Sequence, residues 1–149
     1  MGVSIFVEWP GITDEQKSNQ PGFYNDDPWW ANWMVEVVGK PKLCSLLKGL
    51  GGEVLLFHNT THLPLNKIGW ASPDEFETAA NTLIKLLDTK DVRFLPLLEI
   101  YKKEWDRLIG ENEGETAEDW FKRDLHDVAE IARYARTQGA QVMTLGYYW

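Results

Sequence analysis

The hydrophobic pattern is most regular between Thr116 and Gly139. Phe121, Leu125, Val128, Ala129, Ala132 and Ala135 recur at three- and four-residue intervals, which lays one apolar stripe along a helix and leaves polar residues opposite. Thr116 is placed to cap that helix by accepting from first-turn amides. Asp119, three residues on, makes a capping-box variant and sets negative charge at the positive end of the helix dipole. Arg133 and Arg136 complement the far end. Gly139 supplies the positive φ that commonly follows a helix, and Gln141 to Tyr147 then alternates as a strand, with Val142, Thr144 and Gly146 on one face.

The same reasoning places the other elements. Val3, Ile5, Val7 and Trp9 alternate as a first strand, ended by Pro10-Gly11. Thr13 to Gln16 matches a capping box and starts a short helix that Gln20-Pro21-Gly22 ends. Asp27 and Pro28 suit a helix start, after which Trp29, Trp33 and Val37 share one face and Trp30, Met34 and Val38 a neighbouring one. A further helix begins at Pro41, carries Leu43, Leu46, Leu47 and Leu50, and stops at Gly51-Gly52. Glu53 to His58 is a continuous apolar run between a double glycine and a polar turn, which predicts a buried strand. Asn59 to Ala71 reads as a loop or irregular hairpin leading to a short strand at Ile68 to Trp70. Ser72-Pro73-Asp74-Glu75 joins an N-cap, a first-turn proline and a capping-box glutamate, so a helix runs from there to about Leu87 and buries Phe76, Ala79, Ala80, Leu83 and Leu87. Leu97, Ile100, Tyr101, Trp105 and Leu108 hold helical spacing from Pro96 to Leu108, and an acidic loop follows from Gly110 to Glu115. The elements imply an α+β fold: a single compact domain over residues 1–149, with a small sheet (strands near 3–9, 53–58 and 141–147) covered by several helices. Sheet order and strand direction stay open.

Composition sharpens this picture in three ways. With 44% hydrophobic and 26% charged residues, the chain is expected to be ordered. Its eight tryptophans cannot all readily be buried with their N–H groups satisfied, so some are expected at a groove or partner interface. The net charge of -8 argues against nucleic acid, whose affinity draws on lysine and arginine, and fits basic or neutral partners better, a protein partner with a basic surface among them. Cys44 is the only cysteine, which excludes an internal disulfide and agrees with a reducing, cytoplasmic location. No basic region precedes the first apolar run and no stretch has spanning length, so neither a signal peptide nor a membrane helix is expected.

Chemical candidates are few. His58 and His62 are four apart, the interval that pairs zinc ligands on a helix. In a strand that interval spans about 13 Å, too far for one ion, so no metal is expected. Cys44 lies in a leucine-rich helical pattern, which suits a buried inert thiol better than a nucleophile. Asp124, His126 and Asp127 point in different directions on their helix, with His126 on the polar face. Asp26 and Asp27 beside Trp29, Trp30 and Trp33 form the place where acid and aromatic groups coincide; a cation, sugar or basic side chain is one occupant, and an N-cap beside packed aromatics is the simpler explanation. No catalytic constellation and no cofactor motif emerges.

The Met1-Gly2 start before an early strand, the Ala71-Ser72-Pro73-Asp74-Glu75-Phe76 helix opening, Ile100-Tyr101, and the closing pattern of Trp120-Phe121, Leu125, Val128, Ala135, Gly139 and Val142 to Leu145 resemble the YfbM-like family of small bacterial proteins of unknown function. The resemblance covers mainly the second half of the chain and does not extend to Phe23 to Trp33. It implies a compact α+β domain and carries over no catalytic residues. Two functional expectations follow. The first is a non-enzymatic cytosolic binding protein of the immunity type that neutralises a basic partner. The second is a small-molecule-binding or hydrolytic domain with a pocket lined by Trp29, Trp30, Trp33 and Trp70, assisted by Asp26, His58 or His62.

Overall fold

A computed structural model describes residues 3–21, 23–25, 39–56, 69–108 and 116–148. The chain is α+β, with a small antiparallel sheet and a larger helical part. The strands are β1 (Val3–Glu8), β2 (Phe23–Asn25) and β3 (Thr144–Tyr148), in the order β2-β1-β3. β1 is therefore central and antiparallel to both neighbours, with Ile5 opposite Phe23 and Tyr147, and Val7 opposite Leu145. Around Thr144, Leu145 and Gly146 successive residues are all buried, so both faces of β3 are covered there. The expected strand from Gln141 is shorter than predicted. It is preceded by a single bridge in which Ala71 and Met143 exchange backbone hydrogen bonds of 3.1 and 2.7 Å. That bridge also replaces the short strand expected at 68–70: Gly69 turns at φ +121° and Ala71 alone pairs, while Ile68 lies outside the described residues.

The sequence pattern does not predict β2. Three residues are too few to show alternation, and its pairing with β1 is a long-range contact that local pattern does not encode.

The helices follow their caps. α1 (Asp14–Asn19) and α2 (Lys40–Leu50) are the two short ones. Thr13 forms the full capping box with Gln16 at the head of α1, and Gly51 at φ +78° closes α2 in the left-handed region where a side chain would be strained. α3 (Pro73–Asp88), α4 (Leu95–Leu108) and α5 (Ala117–Thr137) make up the larger helical layer. Ser72 and Thr116 head α3 and α5 with complete capping boxes, Asp119 serving in the position where glutamate is usual. A 3-10 turn at Val92–Phe94, capped by Asp91, feeds directly into α4.

The strand expected over Glu53 to His58 is corrected. Glu53–Leu56 is a 3-10 helix, and His58 lies outside the described residues. Gly52 N–H donates back to Leu47 O at 2.9 Å and Leu55 N–H to Gly52 O at 3.1 Å, so the chain leaves α2 by continuing to coil. The turn wedges between α2 and α3 and buries Leu55 and Leu56 side by side. A strand would have sent these neighbours to opposite faces. A short apolar run carries no periodicity that separates the two outcomes.

The most extensive pairing among the described elements is α3 against α5. Small residues, Ala79 and Ala80 on α3 and Ala129, Ala132 and Ala135 on α5, stand on their buried sides. Phe121 of α5 meets Tyr101 and Phe94 edge-on, with ring centroids 4.7 and 5.4 Å apart. Val7, Trp9, Met143 and Leu145 belong to the same buried cluster as the leucines of α2, α3 and α4, so sheet and helices share hydrophobic packing. Among the described residues, no helix is long and apolar enough to cross a membrane.

Candidate acidic cleft

Seven of the eight residues expected to bind, Asp26, Asp27, Trp29, Trp30, Trp33, His58 and His62, lie outside the described residues, as does the helix expected from Pro28. Trp70 is described. It is half-buried, next to the Ala71–Met143 bridge. The other described tryptophans are structural: Trp9 packs on Tyr134, and Trp105 meets Trp120 edge-on at 5.9 Å with Arg123 over the Trp120 ring. The Trp105 indole N–H is buried with no hydrogen-bond partner among the described residues, an arrangement that costs about 1–3 kcal/mol in desolvation.

The remaining chemical candidates separate as follows. His126 is exposed, as expected for the polar side of α5. Cys44 is half-buried rather than fully buried, and its thiol lies 3.9 Å from Glu53 Oε2. Asp124 departs from expectation: it is 1% exposed, on the packed side of α5. Its place was legible, because Phe121, Asp124, Leu125 and Val128 fall at helical positions of one stripe, but the polar side chain hid it. Asp127 is half-buried on the same helix, and burial first, then repulsion from Glu130, pushes its carboxyl up to about 6 against the opposing pull of Arg123 and His126.

A concavity among the described residues lies elsewhere. The C-terminal end of α2, the 3-10 turn and the first two turns of α3 border an open, shallow cleft of about 360 Å³. Lys48, Glu53, Asp74 and Glu75 line it, with Val54 and Thr78 between them. Local folding dictates these placements. Gly51 and Gly52 reverse the chain at the end of α2, and a Cβ at Gly52 would come within 2.9 Å of Leu83 Cδ1, so the absent side chain lets the turn sit against α3. The capping box then orients the start of α3. Glu75 accepts from Ser72 N–H at 2.8 Å and from Ser72 Oγ at 3.2 Å. Asp74 accepts from Arg136 Nη1 at 2.8 Å, and the same guanidinium reaches Glu77 at 2.6 Å, which raises the Arg136 pKa further. Arg133 joins Glu77 at 3.1 Å.

Glu53, Glu75 and Asp74, the last already paired with Arg136, stand against the Lys48 ammonium and leave the cleft mildly attractive to cations. Two of the carboxylates are held by the fold itself, and Glu53 at the lip is exposed. Among the described residues, the cleft lining contains neither histidine nor cysteine. Among the described residues, no three His, Cys, Asp or Glu side chains are grouped to hold a metal ion. Compared with family models, curated proteins and solved structures, the chain matches none.

Proposed function

We propose that this chain is a non-enzymatic cytosolic binding protein that neutralises a basic protein partner, in the manner of an immunity protein, and that basic side chains of the partner enter the cleft of Glu53, Asp74 and Glu75. The observation that carries this reading is the charge of the cleft, three carboxylates, of which Asp74 is paired with Arg136, and one lysine around about 360 Å³, on a chain of net charge -8. An acidic concavity on an acidic protein steers a basic partner and speeds its approach. The fixed orientation of Asp74 and Glu75 supports it further, because prearranged acceptors lose little side-chain freedom on binding. We also read the whole chain as one compact domain, its sheet covered by helices, and as a relative of the YfbM-like family. The first is supported by the buried cluster joining Val7 and Leu145 to Leu43 and Leu97.

The test is affinity capture from the native lysate with the wild-type chain and Glu53→Lys, a substitution at an exposed position that no helix cap uses. The wild type retains a basic protein that elutes with salt, and the variant retains several-fold less. Equal retention by both chains, or no specific protein on the wild type, sinks the reading.

A further inference from the structure

β2 pairs with β1 only as far as Ile5, which stands opposite Phe23. Continuing that register sets Pro21 across from Val7, and proline has no N–H with which to return the second bond of the pair. A side chain takes the strand's place. The Val7 N–H, which alternation along β1 turns away from β3, donates to Gln20 Oε1 at 2.8 Å, while Gln20 Nε2 donates to Lys17 O at 3.0 Å. One carboxamide thus joins the central strand to the end of α1.

The rest of α1 is fastened in the same polar way. The helix is six residues long and buries no side chain, and so short a helix has no stability of its own. Tyr134 Oη donates to Gln16 O at 2.7 Å, Gln16 Nε2 donates to Gln138 Oε1 at 3.2 Å, and Lys17 pairs with Glu8 at 3.3 Å. Ile12, which packs against the core, precedes the helix and is not part of it. Tyr134 is anchored separately on Trp9, with ring centroids 6.0 Å apart.

We propose that residues 13–20 form a strap that lifts from the otherwise folded chain as one unit and bares the edge of β1 at Val7. Lifting breaks a handful of hydrogen bonds and one ion pair, all of them at least partly in water, and separates no buried side chain of α1 from the core. Segments held in this way open at a lower free energy than the whole fold. The contacts reach both β1 and the C-terminal end of α5, so the strap is a clasp between sheet and helix. With the strap down, the Val7 donor is satisfied by Gln20. With it up, the central strand carries an unpaired backbone donor one rung beyond its pairing with β2, while the β1 to β3 ladder stays closed.

Native-state hydrogen exchange of the full chain, followed by NMR, tests this. Corrected for intrinsic rates, the Val7 amide exchanges roughly tenfold or more faster than those of Phe6 and Glu8, which face β3. Tyr134→Phe removes the hydroxyl that holds Gln16 and keeps the ring on Trp9. That variant speeds Val7 exchange by about threefold or more and leaves Phe6 and Glu8 unchanged, because losing one fastener frees a unit whose other end is Gln20. Gln20→Ala speeds Val7 in the same direction. A Val7 amide as slow as its neighbours, a Val7 rate that Tyr134→Phe does not move, or a rise shared equally by Phe6 and Glu8 overturns the proposal.

Discussion

Gly146 faces Phe6 across the β1–β3 ladder, and the aromatic ring occupies the space a side chain would need. Its φ is ordinary, so the position requires glycine for room and not for conformation. An aromatic covering a strand glycine restores packing that the glycine forfeits. Gly146→Ala therefore costs about 1–3 kcal/mol by overpacking, and the penalty shrinks in a Phe6→Ala background. Denaturant unfolding of the four chains in that cycle measures both effects, and a Gly146→Ala chain as stable as the wild type would contradict the packing account. Asp127 supplies a residue-scale prediction with a sign. Its carboxyl titrates at about 6 in the fold against an ordinary 3.8, so the folded chain binds that proton more tightly than the unfolded chain. The resulting stabilisation is fully present below about 3.8 and is lost as pH rises through about 6. Asp127→Asn removes a charge that is half-buried at neutral pH. The variant melts higher than the wild type near neutrality, by no more than a few degrees given the partial exposure, and the gap closes in acid. A gap that widens on acidification would reverse the sign and refute it.

The elements were legible where a local signal marks them. Ser72, Thr116 and Thr13 announce helix starts through a side chain that reaches three residues ahead, and Gly51 and Gly139 announce stops through positive φ, so α1, α2, α3 and α5 fall close to where spacing places them. α4 needed only its apolar spacing. Elements defined by partners were not legible. Glu53–Leu56 coils because Gly52 fits against Leu83, and β2 exists because β1 lies beside it; neither fact is written within the segment concerned. The joint of α4, α5 and the 3-10 turn shows what partner-defined packing contributes. Phe121 is fully buried between Tyr101 and Phe94, one ring from each element. Phe121→Ala opens that joint and costs about 3–5 kcal/mol, read as a lower denaturant midpoint; a loss well under 1 kcal/mol would mean the rings close over the gap.

At the scale of the whole molecule, charge was legible and its location was not. Composition is the ground for expecting a basic partner, yet Glu53, Asp74 and Glu75 meet only because the 3-10 turn after α2, whose segment the sequence pattern reads as a strand, packs against α3. Asp74 and Glu75 read in isolation as helix-start residues, which they are; their second property, lining a cleft, depends on what packs opposite. Salt checks the proposed capture at this scale, since attraction between an acidic chain and a basic partner is screened as ionic strength rises. The order of the sheet has a further consequence for how the molecule comes into being. β1 lies at Val3–Glu8 and its partner β3 at Thr144–Tyr148, with every described helix between them. Contacts that distant in sequence close late, because loop entropy is lost before they repay it. During synthesis β1 leaves the ribosome well before β3 and waits with one edge open until β3 has followed. Throughout that interval the growing chain exposes a site for strand pairing that the finished protein covers.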